Sequence, residues 1–298
     1  MKQMKVKENL TDVIWDKVLA LFLIIAAFIT VAPFIYVVAG SFSTEKELTE
    51  RAFFLIPHTI SFNAYKYIVQ TGEIFRGLKN SIILTIIGTF SSLFFTSTFA
   101  YPLSKVHFKG RNLILNLVIV TMLFSGGLIP TFLVVKHLGL YNHFAALILL
   151  GAISPFNMII MKGFFAGIPN ELEEAAIIDG YSDLGVFVKI FLPLSKPVLA
   201  SIGLFCAVGY WNDYFSAMIY LSDSYKETVQ IVLRRIVLLA SGGDQINNSL
   251  FDFDMFGAPP DKAVKMASTM VATIPILCVY PFLQKYFAKG VMVGAVKG

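Results

Sequence analysis

Six apolar runs, at about 18–39, 81–103, 113–135, 144–161, 198–221 and 266–287, constrain this 298-residue chain more than any other feature. A helix needs ~20 apolar residues to cross the hydrocarbon core of a bilayer. Inside lipid a spanning segment must satisfy its own backbone polar groups, which a helix does. With 56% hydrophobic and 14% charged residues and a mean hydropathy of +0.73, the composition lies far outside the soluble range. The expected fold is therefore all-α and integral to a membrane, with six transmembrane helices. The fourth run is short, and the sixth is expected to break at Pro275 and Pro281. Pro33, Pro130 and Pro155 also fall inside runs, where neighbouring helices can satisfy the freed carbonyls. The first run follows Lys2, Lys5 and Lys7 and precedes Ala39-Gly40-Ser41, as a secretory signal would. It is longer than the ~7–15-residue apolar core of a signal and reads as an uncleaved anchor.

Charge supplies an orientation. Lys105, Lys109 and Arg111 crowd the loop 104–112, whereas the opposing loop 136–143 holds only Lys136. The positive-inside rule puts 104–112 in the cytoplasm, and with it both termini and the loop 162–197. The loops at about 40–80 and 222–265 then lie outside. Segment 1–17 reads as a cytoplasmic N-terminal segment, 18–288 as the six-helix domain and 289–298 as a cytoplasmic tail. The net charge of +5 and pI near 9.0 come from scattered Lys and Arg with no basic stripe, so no nucleic-acid partner is expected. Cys206 and Cys278 fall inside runs and read as packing residues. His58, His107, His137 and His143 show no ligand spacing, and no nucleophile elbow, acid–base pair or zinc motif occurs. Neither a metal site nor catalytic residues are expected.

The most polar internal stretch is 162–197. Asn170 after Pro169 reads as a helix N-cap, with Glu173 at the reciprocal position of a capping box. Asp179-Gly180 reads as the exit of that short helix, because glycine can take the left-handed conformation that ends one. A second helix from Ser182-Asp183 would present Leu184, Phe187, Val188 and Phe191 on one face before Pro193 and Pro197 stop it. The small Ala175 and Ala176 beside an exposed Glu174 would let another protein approach closely and form a charge-assisted contact. The alternative is a solvated surface loop.

Glu174-Ala175-Ala176-Ile177-Ile178-Asp179-Gly180, followed nine residues later by Ile190-Phe191-Leu192-Pro193, resembles the E-A-A-x-x-x-G-x9-I-x-L-P signature of the membrane subunits of ATP-binding-cassette (ABC) importers. Trp211-Asn212-Asp213-Tyr214 and the tail Phe287 to Gly298 resemble their carbohydrate-uptake branch. Phe124-Ser125-Gly126-Gly127-Leu128-Ile129-Pro130 and Tyr280-Pro281-Phe282-Leu283-Gln284-Lys285-Tyr286-Phe287 are similar to the subgroup importing oligosaccharides released from polysaccharides, the alginate importer included. The resemblance implies a permease subunit in a bacterial cytoplasmic membrane. Its partners would be a second homologous permease, two cytoplasmic ATPases, an extracytoplasmic solute-binding protein, membrane lipid and an oligosaccharide substrate. Glu174, Ala175, Ala176, Asp179 and Gly180 would form the coupling loop to an ATPase. Gly294, Lys297 and Gly298 would reach between the ATPases. No G-x-x-x-x-G-K-[ST] loop occurs, so ATP and Mg would sit on the partner and no cofactor on this chain.

Trp211, Asn212, Asp213 and Tyr214 place a carboxylate inside the fifth run, where an acid should face a cavity or a bundle interior. They would line the translocation path, stacking on sugar rings and bonding hydroxyls, or else form an interfacial anchor with Asp213 paired to the partner permease. Gly126-Gly127 reads as a helix-packing site. Segment 226–240 reads as an amphipathic helix on the outer surface, followed by an irregular loop with Asp244, Asp252 and Asp254 suited to docking a solute-binding protein. Two rivals to the permease remain at this point, an ion-coupled secondary transporter of small polar solutes and a membrane enzyme.

Overall fold

A computed structural model describes residues 10–239 and 262–295, and every described regular element is helical. The chain forms two compact units, one ending at Thr71 and resuming over Arg235–Val271, the other covering Gly72–Arg234 and continuing from Ala272.

The first unit opens with α1 (Leu10–Ser41), followed by α2 (Glu45–Glu50) and α3 (Asn63–Thr71). From Ile14 onward the apolar side chains of α1 are almost all exposed, with Trp15 72% and Phe22 65% accessible, as suits a helix surrounded by lipid or another subunit. Among its described side chains, the packed ones are at the C-terminal end. Ser41 Oγ meets Tyr65 Oη at 2.9 Å and donates to Val38 O, and Ser43 Oγ donates to Ala39 O. Gly40 admits Met266, whose Sδ would lie 2.1 Å from an added Cβ. The buried Glu47 carboxylate accepts from the His58 N–H at 2.9 Å and from Arg51 Nη1 at 2.7 Å, which holds it below the usual carboxylate range despite burial.

The second unit is built around α4 (Glu73–Ser104), which packs on α8 (Pro155–Ala166) and α12 (Lys196–Asn212). Its buried face repeats small residues every four positions on either side of Leu84, with Gly77 and Ser81 before it and Gly88, Ser92, Thr96 and Ala100 after it. Within a membrane, small residues are what let helix backbones approach, since lipid is as apolar as leucine. Tyr210 of α12 fills the notch this leaves. Its Oη meets Ser92 Oγ and donates to Ile148 O, each at 3.1 Å.

Only three of the six runs are single long helices: α1, α4 and α15 (Lys262–Ala295). The other segments are bent pairs. The third run divides into α5 (Arg111–Leu123) and α6 (Leu128–His137), bent by 116°. Gly126-Gly127 is the break itself, with Gly127 at φ +82 and open space around Gly126, which corrects the helix-packing reading of that pair. The fourth run divides into α7 (Phe144–Leu150) and α8, bent by 52° where Pro155 begins the second piece. The expected break at Pro275 and Pro281 does not occur, because α15 continues through both.

The fifth run also departs from expectation. It ends as a helix at Asn212, not near 221, and resumes as α13 (Phe215–Tyr220). Asp213 is extended at ψ 91, and its Oδ1 accepts the Ser216 N–H at 3.0 Å, so the carboxylate caps the second piece. Segment 226–240 contributes α14 (Val229–Leu239). Its Val229 packs against Trp211 and Ala272, so the start of the helix is inserted in the bundle. The Val229 N–H donates to Ser81 Oγ at 2.9 Å. Asn142, at φ +62, accepts from the Ser222 and Asp223 N–H groups and receives Lys226 Nζ on its carbonyl, tying 136–143 to 221–226. Loop residues 242–261, including Asp244, Asp252 and Asp254, lie outside the described residues.

Candidate coupling site

The loop 162–197 forms a helix, a tight turn and a distorted second helix. The first is α9 (Asn170–Ile178). Pro169 occupies its N-cap position without a side-chain cap, and Glu173 does not reach back as a capping box would require. Glu173 Oε2 is instead paired with Lys105 Nζ from the end of α4. Helix exit is as expected. Gly180 sits at φ +85, its N–H donates to Ile177 O and the Tyr181 N–H donates to Ala176 O, both at 3.0 Å.

The second helix starts at Asp183, with Ser182 Oγ accepting the Gly185 N–H at 3.3 Å. Residues 183–186 form α10 (Asp183–Val186), Phe187–Phe191 widen into a π-turn and α11 (Leu192–Leu194) follows. Pro193 cannot donate a helical N–H, and the wider turn absorbs the mismatch. The extra residue per turn rotates the buried face. Val186, Phe187 and Phe191 are buried, while Leu184 is 70% and Val188 50% exposed, against the expectation of a single face holding Leu184, Phe187, Val188 and Phe191.

The structure divides the signature residues into two groups. Glu174, Ala175, Asp179 and Gly180 are exposed. Ala176 is buried in the same core as Ala100, Met161, Phe165, Phe187 and Phe191. Its small size therefore serves packing inside the chain, a correction to reading both alanines as an approach surface. Ile178 stands beside the exposed group at 85% exposure, with Ile177 also exposed. These two isoleucines do not stand out in the sequence, because they read as ordinary helix-face residues. An acid flanked by exposed isoleucines is the makeup of a protein-docking patch.

Trp211, Asn212, Asp213 and Tyr214 do not act as one cluster. The Trp211 ring is buried against Val229 and Ala272, so it packs the bundle, a correction to its reading as path lining. Asn212 is exposed, its Nδ2 donating to Val208 O at 3.0 Å. Asp213 caps α13, and Arg234 lies over the Tyr214 ring at 4.8 Å. Gly294 is in the last turn of α15, while Lys297 and Gly298 lie outside the described residues.

A helical bundle of apolar, bent spans with an exposed acidic helix between two of them defines a membrane transport subunit. Residues 92–293 match the family described as the binding-protein-dependent transport system inner membrane component, and the chain belongs to that family. It is an ABC transporter permease, a transport subunit and not an enzyme. Among its relatives, Protein LplC of Bacillus subtilis (strain 168) is 54% identical, aligned over 91% of this chain and 90% of that protein. The polygalacturonan/rhamnogalacturonan transport system permease protein YtcP of the same organism is 50% identical over 96% and 99% of the two chains. A crystal structure of a bacterial ABC transporter involved in importing the acidic polysaccharide alginate contains a chain with TM-score 0.83 and 34% identity, covering 95% of this chain and all of that one.

Proposed function

We propose that this permease imports oligosaccharides cut from acidic, uronate-containing polysaccharides. It would work with a second homologous permease, two cytoplasmic ATPases that bind ATP and Mg, and an extracytoplasmic solute-binding protein. The observation that carries the substrate class is that a relative 50% identical over 96% of the chain is named for polygalacturonan and rhamnogalacturonan, and the similar transporter structure for the acidic polysaccharide alginate. In this reading the exposed face of α9, with Glu174, Ala175, Asp179 and Gly180, seats in a cleft of one ATPase. Closure of the ATPase pair on ATP pulls α9, and the permease pair switches between inward and outward access, a rigid-body transition between two states. The tail contact with the ATPases is expected to fall on Gly294, Lys297 and Gly298, the last two of which lie outside the described residues. Asn212 and Tyr214 are the members of the fifth-run motif left to face solute. Cells producing the whole transporter should accumulate labelled trigalacturonate in preference to maltotriose. Preferential uptake of the neutral trisaccharide would exclude the acidic class.

The loop charges support an orientation with both termini and α9 in the cytoplasm. Reporter fusions at Lys109 and Lys189 should read as cytoplasmic and a fusion at Ser222 as exterior. An exterior signal at Lys189 would be incompatible with contact between α9 and an ATPase.

A further inference from the structure

We propose that Lys105 is a positioning residue that clasps α9 to α4, so that force applied to α9 reaches the central spanning helix through one ammonium group. The inference rests on the coupling reading above and deepens it. Of the residues in α9 only Ala176 is buried, so packing alone gives this helix a single point of purchase on the rest of the chain. Its polar tie is Glu173, whose carboxylate pairs with Lys105 Nζ. Lys105 is the residue that ends α4, its own N–H donating to Pro102 O at 3.1 Å.

The same ammonium lies 3.9 Å from the Phe191 ring centroid and 4.7 Å from that of Tyr101. Tyr101 belongs to α4 and Phe191 to the π-turn that leads toward α12. One charge therefore touches three elements. The lysine and glutamate side chains are only 23% and 21% exposed, so the pair is less screened than one on an open surface. Two aromatic faces offset part of the ammonium's lost hydration. The rings are themselves fixed, Tyr101 standing 5.0 Å from Phe191 and 4.9 Å from Phe187.

A cavity of about 780 Å³ opens beside the clasp, lined among others by Thr98, Arg111, Glu174, Ile177 and Leu184. It leaves one side of α9 without packed support. Without the ion pair α9 has room to tilt into that space, and its motion would be spent there instead of displacing α4. A lysine that merely stabilised the fold would lower yield without changing the response to the binding protein.

The test uses the complete transporter in lipid vesicles, with the solute-binding protein loaded from a polygalacturonate digest. ATP hydrolysis is measured with and without that protein, normalised to ATPase recovered with the permease. Lys105→Met and Glu173→Gln should each assemble in parental amounts and lose stimulation by roughly fivefold, within the usual range of coupling between sites. The double variant should be no worse than either single one, and Lys105→Arg should keep most of the response. Parental stimulation in Lys105→Met would overturn the clasp, as would additive losses in the double variant or equal loss in Lys105→Arg. Glu174→Lys separates the coupling reading from the clasp. If it abolishes stimulation while Lys105→Met does not, the coupling reading stands and the clasp falls. If Glu174→Lys itself responds normally, both fall.

Discussion

Gly180→Val is expected to reduce substrate-stimulated ATP hydrolysis of the assembled transporter by roughly tenfold, the effect of ~1.4 kcal/mol. Gly180 holds φ +85, and an added Cβ would meet nothing within 4 Å. Any penalty is therefore one of backbone conformation and not of collision. A side chain in the left-handed region costs ~1–2 kcal/mol, and a β-branched one has the fewest rotamers with which to accommodate it. A penalty of ~1–2 kcal/mol changes a two-state population by a factor of ~5–30. The strain falls on the turn closed by the Gly180 and Tyr181 N–H bonds to Ile177 and Ala176, which sets the angle between α9 and α10. Gly180→Asn should lose less than Gly180→Val, because asparagine visits this region more readily. If the valine variant, recovered with its ATPase, is stimulated like the parent, the turn geometry has no part in coupling.

The largest loss of stability is expected from Gly88→Leu. A Cβ at Gly88 would stand 2.7 Å from Tyr210 Cε2 and Cζ. The ring has no path of retreat, since an added Cβ at Gly151 would lie 2.6 Å from the Tyr210 Oη on the other side. Tyr210 is 8% exposed and bonded to Ser92 and Ile148, so displacing it breaks contacts on α4, α7 and α12 together. Overpacking of this kind costs ~1–3 kcal/mol, and each lost hydrogen bond adds ~0.5–1.5 kcal/mol. The detergent-solubilised subunit should melt several degrees lower. Gly209→Leu, on the same α12 but with open space at its Cβ, should melt with the parent. Adding Tyr210→Ala to Gly88→Leu should restore part of the loss, and an unaltered melting temperature for Gly88→Leu alone would refute the wedge.

Much of the candidate site is legible in the sequence. The signature from Glu174 to Gly180 marks the loop, and Asp179-Gly180 marks the helix end because a left-handed glycine is a local property of the chain. What Glu173 and Ala176 do is not legible there. Glu173 is close in sequence to a capping position, yet its partner is Lys105, 68 residues away. Ala176 looks like its neighbour Ala175, and only the packing of Phe165, Phe187 and Phe191 separates the buried methyl from the exposed one.

By itself the sequence determined that the chain is a helical membrane subunit, because apolar length and the need to satisfy backbone polar groups in lipid are summed along the chain and need no knowledge of contacts. It also located the breaks that depend on one residue's backbone freedom, as at Gly180. Tertiary structure alone decided which spans bend, since Pro275 stays within a continuous α15 while Gly127 turns its segment through 116°. It decided that the small residues of α4 form a notch for Tyr210, that Trp211 faces Val229 and not solute, and that Asp213 caps a helix. Each of these depends on which side chain stands opposite in space, and a pattern of residue types along one chain does not carry that information.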